Sequence, residues 1–374
     1  MGHRKKRAYA VIILPIFILY FFAAARPIPR ETILAPGWIS SSEAPVFADG
    51  GISTREILPF TLGSRFGYVD TSGQFIMSSV ISDNIYLGST MWTEYPAEPL
   101  NIEIKNISGE TITNIEDTRG YPVLLDNRVF ILGSEQNSLS EIGIDGNILW
   151  TYEFGAPLTC IDAAAGFVLT GSLDGVIEIL DSNGNRVFYF QPSGSQYEII
   201  YGCAISSNGS RFAIVSGLDP QRFLLFERFG NGGSDYRVVY HEFLEGGFRR
   251  PVHISFIDED RRVVFERDRG IGCYNIRSRR SMYIPLDGNV AAIDYSGAQG
   301  LLFLITSQSL QRKELVGIRI PQDRRFLFFG LADAQNVIFL KAPFKSEDVF
   351  LARTGSMLIA GGGKTLISFA LEEK

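Results

Sequence analysis

Four short segments share one glycine turn: DTSGQFIM at 70–77, NISGETIT at 106–113, GIDGNILW at 143–150 and DSNGNRVF at 181–188. Their glycines, Gly73, Gly109, Gly146 and Gly184, follow one another at intervals of 36, 37 and 38 residues. A repeat of this length commits a chain to stacked copies of one small unit. Asp70, Asn106, Gly143 and Asp181 stand three positions earlier, where such residues open a tight turn, and the glycine accepts the positive φ that completes it.

A second register reinforces the first. Gly133, Gly171 and Gly217 each lie thirteen residues ahead of a later turn glycine, Gly146, Gly184 and Gly230. Between them the chain alternates as a strand does, as in Val176-Ile177-Glu178-Ile179-Leu180-Asp181. In the second repeat the interval, counted from Gly88 to Gly109, is 21 residues, and the surplus STMWTEYPAEP reads as a loop insertion. Each unit is three or four short strands joined by hairpins. Such a unit covers neither face of its sheet alone, whereas copies stacked around an axis cover both and protect their edges.

Composition agrees. Phe 28 and Tyr 15 favour pleated strands and Gly 38 supplies turns, while 45% hydrophobic and 20% charged residues describe a chain with a core. Past residue 230 the repeats degrade, but strand texture continues through VHISFI, RRVVFER, LLFLITS, LVGIRI, RRFLFFG and DVFLART. The expected fold is all-β: a β-propeller of about seven four-stranded blades over residues 46–374, or eight if the loops are short. The stretch GNILWTYEFGAPLTCIDAAAGFVLTGSLDGVIEILDSNG resembles a blade of the PQQ-like, quinoprotein alcohol dehydrogenase-like propellers, and more generally the WD40 and YVTN propellers. The likeness is close over 133–190, weaker over 66–132 and faint afterwards; its tryptophan recurs only at Trp150, with Phe188 as a stand-in. It implies a propeller and transfers no enzyme.

The first residues form a separate object. Arg4, Lys5, Lys6 and Arg7 make a basic block, and eighteen uncharged residues follow, Ala8 to Ala25. As a helix that stretch is roughly 27 Å long, close to the hydrocarbon thickness of a bilayer. The expected organisation is a cytoplasmic tail at 1–7, a transmembrane anchor or signal segment at 8–25, a Pro- and Ser-rich linker at 26–45 and the propeller beyond. Ala23-Ala24-Ala25 satisfies the signal-peptidase rule, so cleavage and retention both stand.

Catalytic, cofactor-binding and metal-binding sets are all expected to be absent. GGGKT at 361–365 lacks the first glycine of a phosphate loop, since Leu358 occupies it, and the β-textured end of the chain leaves no room for the helix such a loop opens. It reads as a hairpin turn of the last blade. Outside the tail, His241 and His253 have no ligand spacing, and Asp258-Glu259-Asp260, followed by two arginines, reads as a solvated turn. Cys160, Cys203 and Cys273 each sit in an apolar run as small buried hydrophobes, and their odd number leaves at least one thiol unpaired.

Two surface features remain. Residues 245–280 carry nine arginines against six acids, with Arg249 and Arg250 leading, and the insertion offers Trp92 and Tyr95 as aromatic anchors. The expected function is a noncatalytic scaffold for protein–protein interaction in a bacterial envelope. The propeller would stand outside the inner (cytoplasmic) membrane on a single-pass anchor, or in the periplasm after cleavage. Its partners would be envelope proteins; the net charge of −6 gives no footprint for nucleic acid. A quinoprotein-type enzyme, or a small-ligand sensor using the central funnel, is the alternative.

Overall fold

The computed structural model describes residues 32–43, 55–230, 235–294, 296, 300–320 and 337–373. The expected tail at 1–7 and apolar segment at 8–25 lie outside the described residues, as does RRFLFFG. Among the described residues no helix is long and apolar enough to cross a membrane, and the elements are all strands.

These strands form eight antiparallel sheets. Seven follow one another along the chain at 57–80, 84–115, 120–153, 158–190, 197–244, 254–285 and 289–345, and the eighth joins 349–373 to Thr32–Ser41. In each full blade the first strand is innermost, and inner strands of adjacent blades touch, as Leu158–Ala164 does with Tyr197–Ile205. Ile57–Leu62 meets Val349–Thr354, so the first blade meets the last and the ring is closed. The chain is therefore an eight-bladed propeller: the alternative count holds, not the seven expected first. The count fell short because residues 32–41 were assigned to the linker and because the first four blades keep the compact 36 to 38 residue spacing of their glycines. The first blade shows three described strands; its last turn holds Gly73, so they correspond to the second, third and outer strands of the others.

The linker reading is corrected at Thr32–Ser41. This segment is the outer strand of blade 8, paired antiparallel to Thr365–Glu373 from Thr32↔Glu373 to Ser41↔Thr365. The Trp38 N–H donates to Ser368 Oγ (2.9 Å), and Ser42 N–H donates to Lys364 O (2.8 Å). The final hairpin, Met357–Gly362 and Thr365–Glu373, turns at Gly363 with φ 61° and does belong to the last blade.

The repeated turns have one construction. In three of them the Asx side chain caps two backbone N–H groups. Asp70 Oδ1 accepts from Ser72 and Gln74 (2.8 and 3.0 Å), Asn106 Oδ1 from Ser108 and Glu110 (2.9 and 3.0 Å), and Asp181 Oδ1 from Asn183 and Asn185 (2.8 and 2.9 Å). Where Gly143 leaves that position without a side chain, Asp145 accepts from Asn147 N–H instead (3.2 Å). The four glycines have φ of 85°, 88°, 82° and 77°. A bulge follows in each hairpin, between Tyr68/Val69, Ile104/Lys105, Glu141/Ile142 and Ile179/Leu180, and it twists the outer strand.

Two of these glycines also receive the neighbouring blade. A methyl group on Gly184 would lie 2.6 Å from the Trp150 indole of blade 3, and one on Gly73 would lie 2.5 Å from the Trp38 indole of blade 8. Trp38 Nε1–H donates to Thr71 O (3.0 Å) in the same turn. Trp38 is therefore the second copy of the blade tryptophan, carried by the strand that closes the ring. Gly109 has the same φ but nothing within 4 Å of such a methyl. Gly109→Ala is expected to cost roughly 1 kcal/mol, for backbone strain alone, and Gly184→Ala roughly 3 kcal/mol, because the indole must also move. Urea unfolding of the two variants measures the difference.

Candidate functional site

One face of the ring is built from the crossovers that join each outer strand to the next inner strand, together with the turns between second and third strands. On it, between blades 4, 5 and 6, lies a groove of about 420 Å³. Its floor is Thr159, Ile199, Ile200 and Tyr201 from the starts of two inner strands; Leu173, Tyr197, Leu218 and Pro251 form the walls; Arg249 and Arg250 stand at one side. Leu173 and Tyr197 are about half exposed, at 50% and 49%, so two large apolar side chains face solvent beside a cation. The sequence lays them out with ordinary turn chemistry: Leu173 opens the Leu-Asp-Gly turn whose Gly175 has φ 85°, and Tyr197 begins its strand right after the 191–196 crossover.

The two arginines do different work. Arg250 forks onto Glu266 (2.6 and 3.1 Å), a carboxylate only 1% exposed, and lies over the Phe248 ring at 4.4 Å. Losing that cation would strand a buried charge, a change that costs about 3–5 kcal/mol. Arg250 fastens the 245–253 crossover to blade 6. Arg249 is exposed, makes no ion pair among the described residues, and is the cation available to a ligand.

The aromatic pair predicted as loop anchors is not together with them. Met91–Tyr95 is the second strand of blade 2, not an inserted loop. Trp92 is 8% exposed, packs edge-on to Phe66 (5.0 Å between centroids) and donates from Nε1 to Asn106 O (2.9 Å). Tyr95 is half-buried beside Tyr121, at 6.5 Å. The position thirteen residues before Gly109 is Pro96, so the interval was regular and a proline stood where blades 3, 4 and 5 have Gly133, Gly171 and Gly217. Leu173 and Tyr197, by contrast, were missed, because nothing local distinguishes an exposed apolar residue in a turn from a buried one.

The remaining motifs are structural. Gly363 N–H donates to Ser346 Oγ (2.8 Å) and Lys364 pairs with Glu43 (2.7 Å), so the glycine run presents a hairpin to solvent and no phosphate cradle. Asp258 pairs with Arg262 (2.6 Å), itself only 4% exposed, and Asp260 accepts from Ser207 N–H (2.8 Å) across blades 5 and 6. The segment is a turn, as read, with Glu259 exposed, and Asp260 in addition ties blade 6 to blade 5. His253 is half-buried, and burial lowers its pKa. Among the described residues no group of three or more His, Cys, Asp or Glu side chains is placed to hold a metal.

Beneath the groove the inner strands of blades 4 and 5 are tied by side chains. Thr159 Oγ1 donates to Ile200 O (2.5 Å), and Asp162 Oδ2 accepts from Ile205 N–H (2.8 Å). Burial pushes the Asp162 carboxyl up to about 6, against the opposing pull of the Ile205 and Ala163 amides. An acid whose folded value lies above its free value keeps its proton longer in the folded state. Its contribution to stability therefore falls as pH rises from about 4 to about 6, by roughly 2–3 kcal/mol. Asp162→Asn is expected to flatten that slope in denaturation midpoints measured across the window.

An all-β ring of eight antiparallel sheets in which the first blade meets the last is a β-propeller. The chain belongs to the beta-propeller protein family, whose sequence profile matches residues 1–373. It is similar to an uncharacterized protein of Treponema pallidum (strain Nichols), at 26% identity over 234 residues, 60% of this chain and 62% of that one; the match spans less than two thirds of the relative. Among solved structures it is similar to BamB from Moraxella catarrhalis, with a TM-score of 0.58 and 11% identity, covering 90% of this chain and 100% of that one. The computationally designed Ika8 protein is similar too, with a TM-score of 0.58, 12% identity and coverage of 85% and 94%. At these identities the likeness concerns the fold alone.

Proposed function

We propose that this protein is a noncatalytic scaffold that binds a partner protein of the bacterial envelope through the groove between blades 4, 5 and 6. The observation that carries the reading is the combination of exposed Leu173 and Tyr197 with Arg249, which is exposed and makes no ion pair among the described residues. The occupant fitted by that chemistry is an extended segment of another protein that places an apolar side chain between Leu173 and Tyr197 and a carboxylate beside Arg249. Such an anchor-and-charge arrangement concentrates affinity in a few residues. The basic block at 4–7 and the uncharged run at 8–25 support attachment to the cytoplasmic membrane with the propeller on the outer side, or export after cleavage near Ala25. The net charge of −6 supports a protein partner over nucleic acid.

A photo-crosslinking residue in place of Tyr197, in the full chain in cells, is expected to capture one partner. Arg249→Glu is expected to lower the adduct at least tenfold, whereas Ile144→Asp, on the opposite face, leaves it unchanged. Equal adduct yields in all three backgrounds would remove the groove from consideration. Protease accessibility in spheroplasts, compared with intact cells, tests the side of the membrane independently.

A further inference from the structure

The three cysteines are not equivalent. Cys273 is buried in the core between blades 6 and 7. Cys160 and Cys203 lie on the inner strands of blades 4 and 5, and two hydrogen bonds fix how those strands sit against each other. Thr159 reaches Ile200 O (2.5 Å) and Asp162 reaches Ile205 N–H (2.8 Å), so the cysteines fall between the two ties. Both sulfurs point into the blade interface. Cys160 Sγ lies 2.7 Å from where a methyl on Gly171 would sit, beside Ile200 of the next blade; Cys203 Sγ approaches Leu169 O of the previous blade at 3.9 Å. Cys203 is part of a buried cluster spanning blades 4 and 5, and Cys160 packs against that same cluster.

We infer that Cys160 and Cys203 are a thiol-oxidation site that closes into a disulfide between blades 4 and 5, directly beneath the docking groove, in exchange with a small disulfide. Cys160 is the partly exposed member and Cys203 the buried one, which sets the order of events. The Cys160 sulfur attacks the external disulfide RSSR; its S–S bond breaks, one RSH leaves with the Cys160 proton, and a mixed Cys160–S–S–R bond forms. The Cys203 sulfur then attacks Cys160 Sγ, and the second RSH leaves with the Cys203 proton. Two thiols are oxidised, one external disulfide is reduced to two thiols, and no other reactant is required. The site needs no partner protein, so its test stands or falls apart from the groove's.

The full-length protein is incubated folded with oxidised glutathione, quenched in acid, unfolded, alkylated and weighed. Wild type is expected to fall from three alkylated cysteines to one, Cys273, with a peptide linking Cys160 to Cys203. Cys273→Ser is expected to fall from two to none. Cys203→Ser is expected to stop at a glutathione adduct on Cys160, since the displacing sulfur is gone. Wild type that keeps three alkylatable thiols, or that stalls as the Cys160 adduct, overturns the assignment. So does a linkage through Cys273. The wild-type and Cys273→Ser readings decide the matter even if Cys203→Ser does not fold.

Discussion

Sheet stacked on sheet holds this ring together. A four-stranded blade has two apolar faces, and only its neighbours cover them. Between blades 5 and 6, Phe223 stacks on Phe265 at 4.1 Å and Tyr240 on Tyr274 at 4.1 Å, while Phe212 and Phe226 stack at 4.3 Å within blade 5. Except for half-buried Tyr240 these rings are buried, and each fully buried ring stabilises by about 1.5–3 kcal/mol, more than the polar contacts between blades. The polar contacts set register instead. Asp162 to Ile205 and Asp260 to Ser207 fix one blade's height against the next, and the buried Arg353 meets both Asp294 (3.7 Å) and Leu301 O (3.0 Å) between blades 7 and 8. Burial raises the Asp294 carboxyl's pKa, so this pair positions the blades more than it stabilises them.

What the sequence disclosed was local. The Asx–glycine turns at 70–73, 106–109 and 181–184 are each closed within five residues, so their geometry is legible in the residues themselves. The strand alternation between Gly171 and Gly184 is legible for the same reason. What failed was long-range or masked by substitution. Pro96 interrupts a glycine pattern, and a regular blade then looked like an insertion bearing exposed Trp92. Trp38 looked like part of a linker because its strand partner, Ser368, lies 330 residues away. No window along the chain contains both.

The candidate site divides along similar lines. The excess of arginines in 245–280 drew attention to this crossover but did not tell its two leading cations apart. Arg250 is taken up by Glu266, sixteen residues on and in the next hairpin, so only the folded blade separates it from Arg249. Leu173 and Tyr197 carry no sequence mark because their role is exposure, and exposure is decided by the neighbouring blades. The groove therefore sits on a frame fixed from several directions: the Glu266 fork, the Thr159 and Asp162 ties, and the aromatic stack of blades 5 and 6. A frame of that kind holds the apolar rim in place without help from a ligand.

The pairing of Thr32–Ser41 with Thr365–Glu373 governs the order of biosynthesis. The first described strand leaves the ribosome early and has no mate until the final hairpin emerges. At about 5–20 residues per second, the delay is roughly 15–65 s. Over that interval the strand's hydrogen-bonding edge and the Trp38 ring lack the partners they have in the closed ring, and a chain that stops before the final hairpin leaves Thr32–Ser41 without its mate in blade 8.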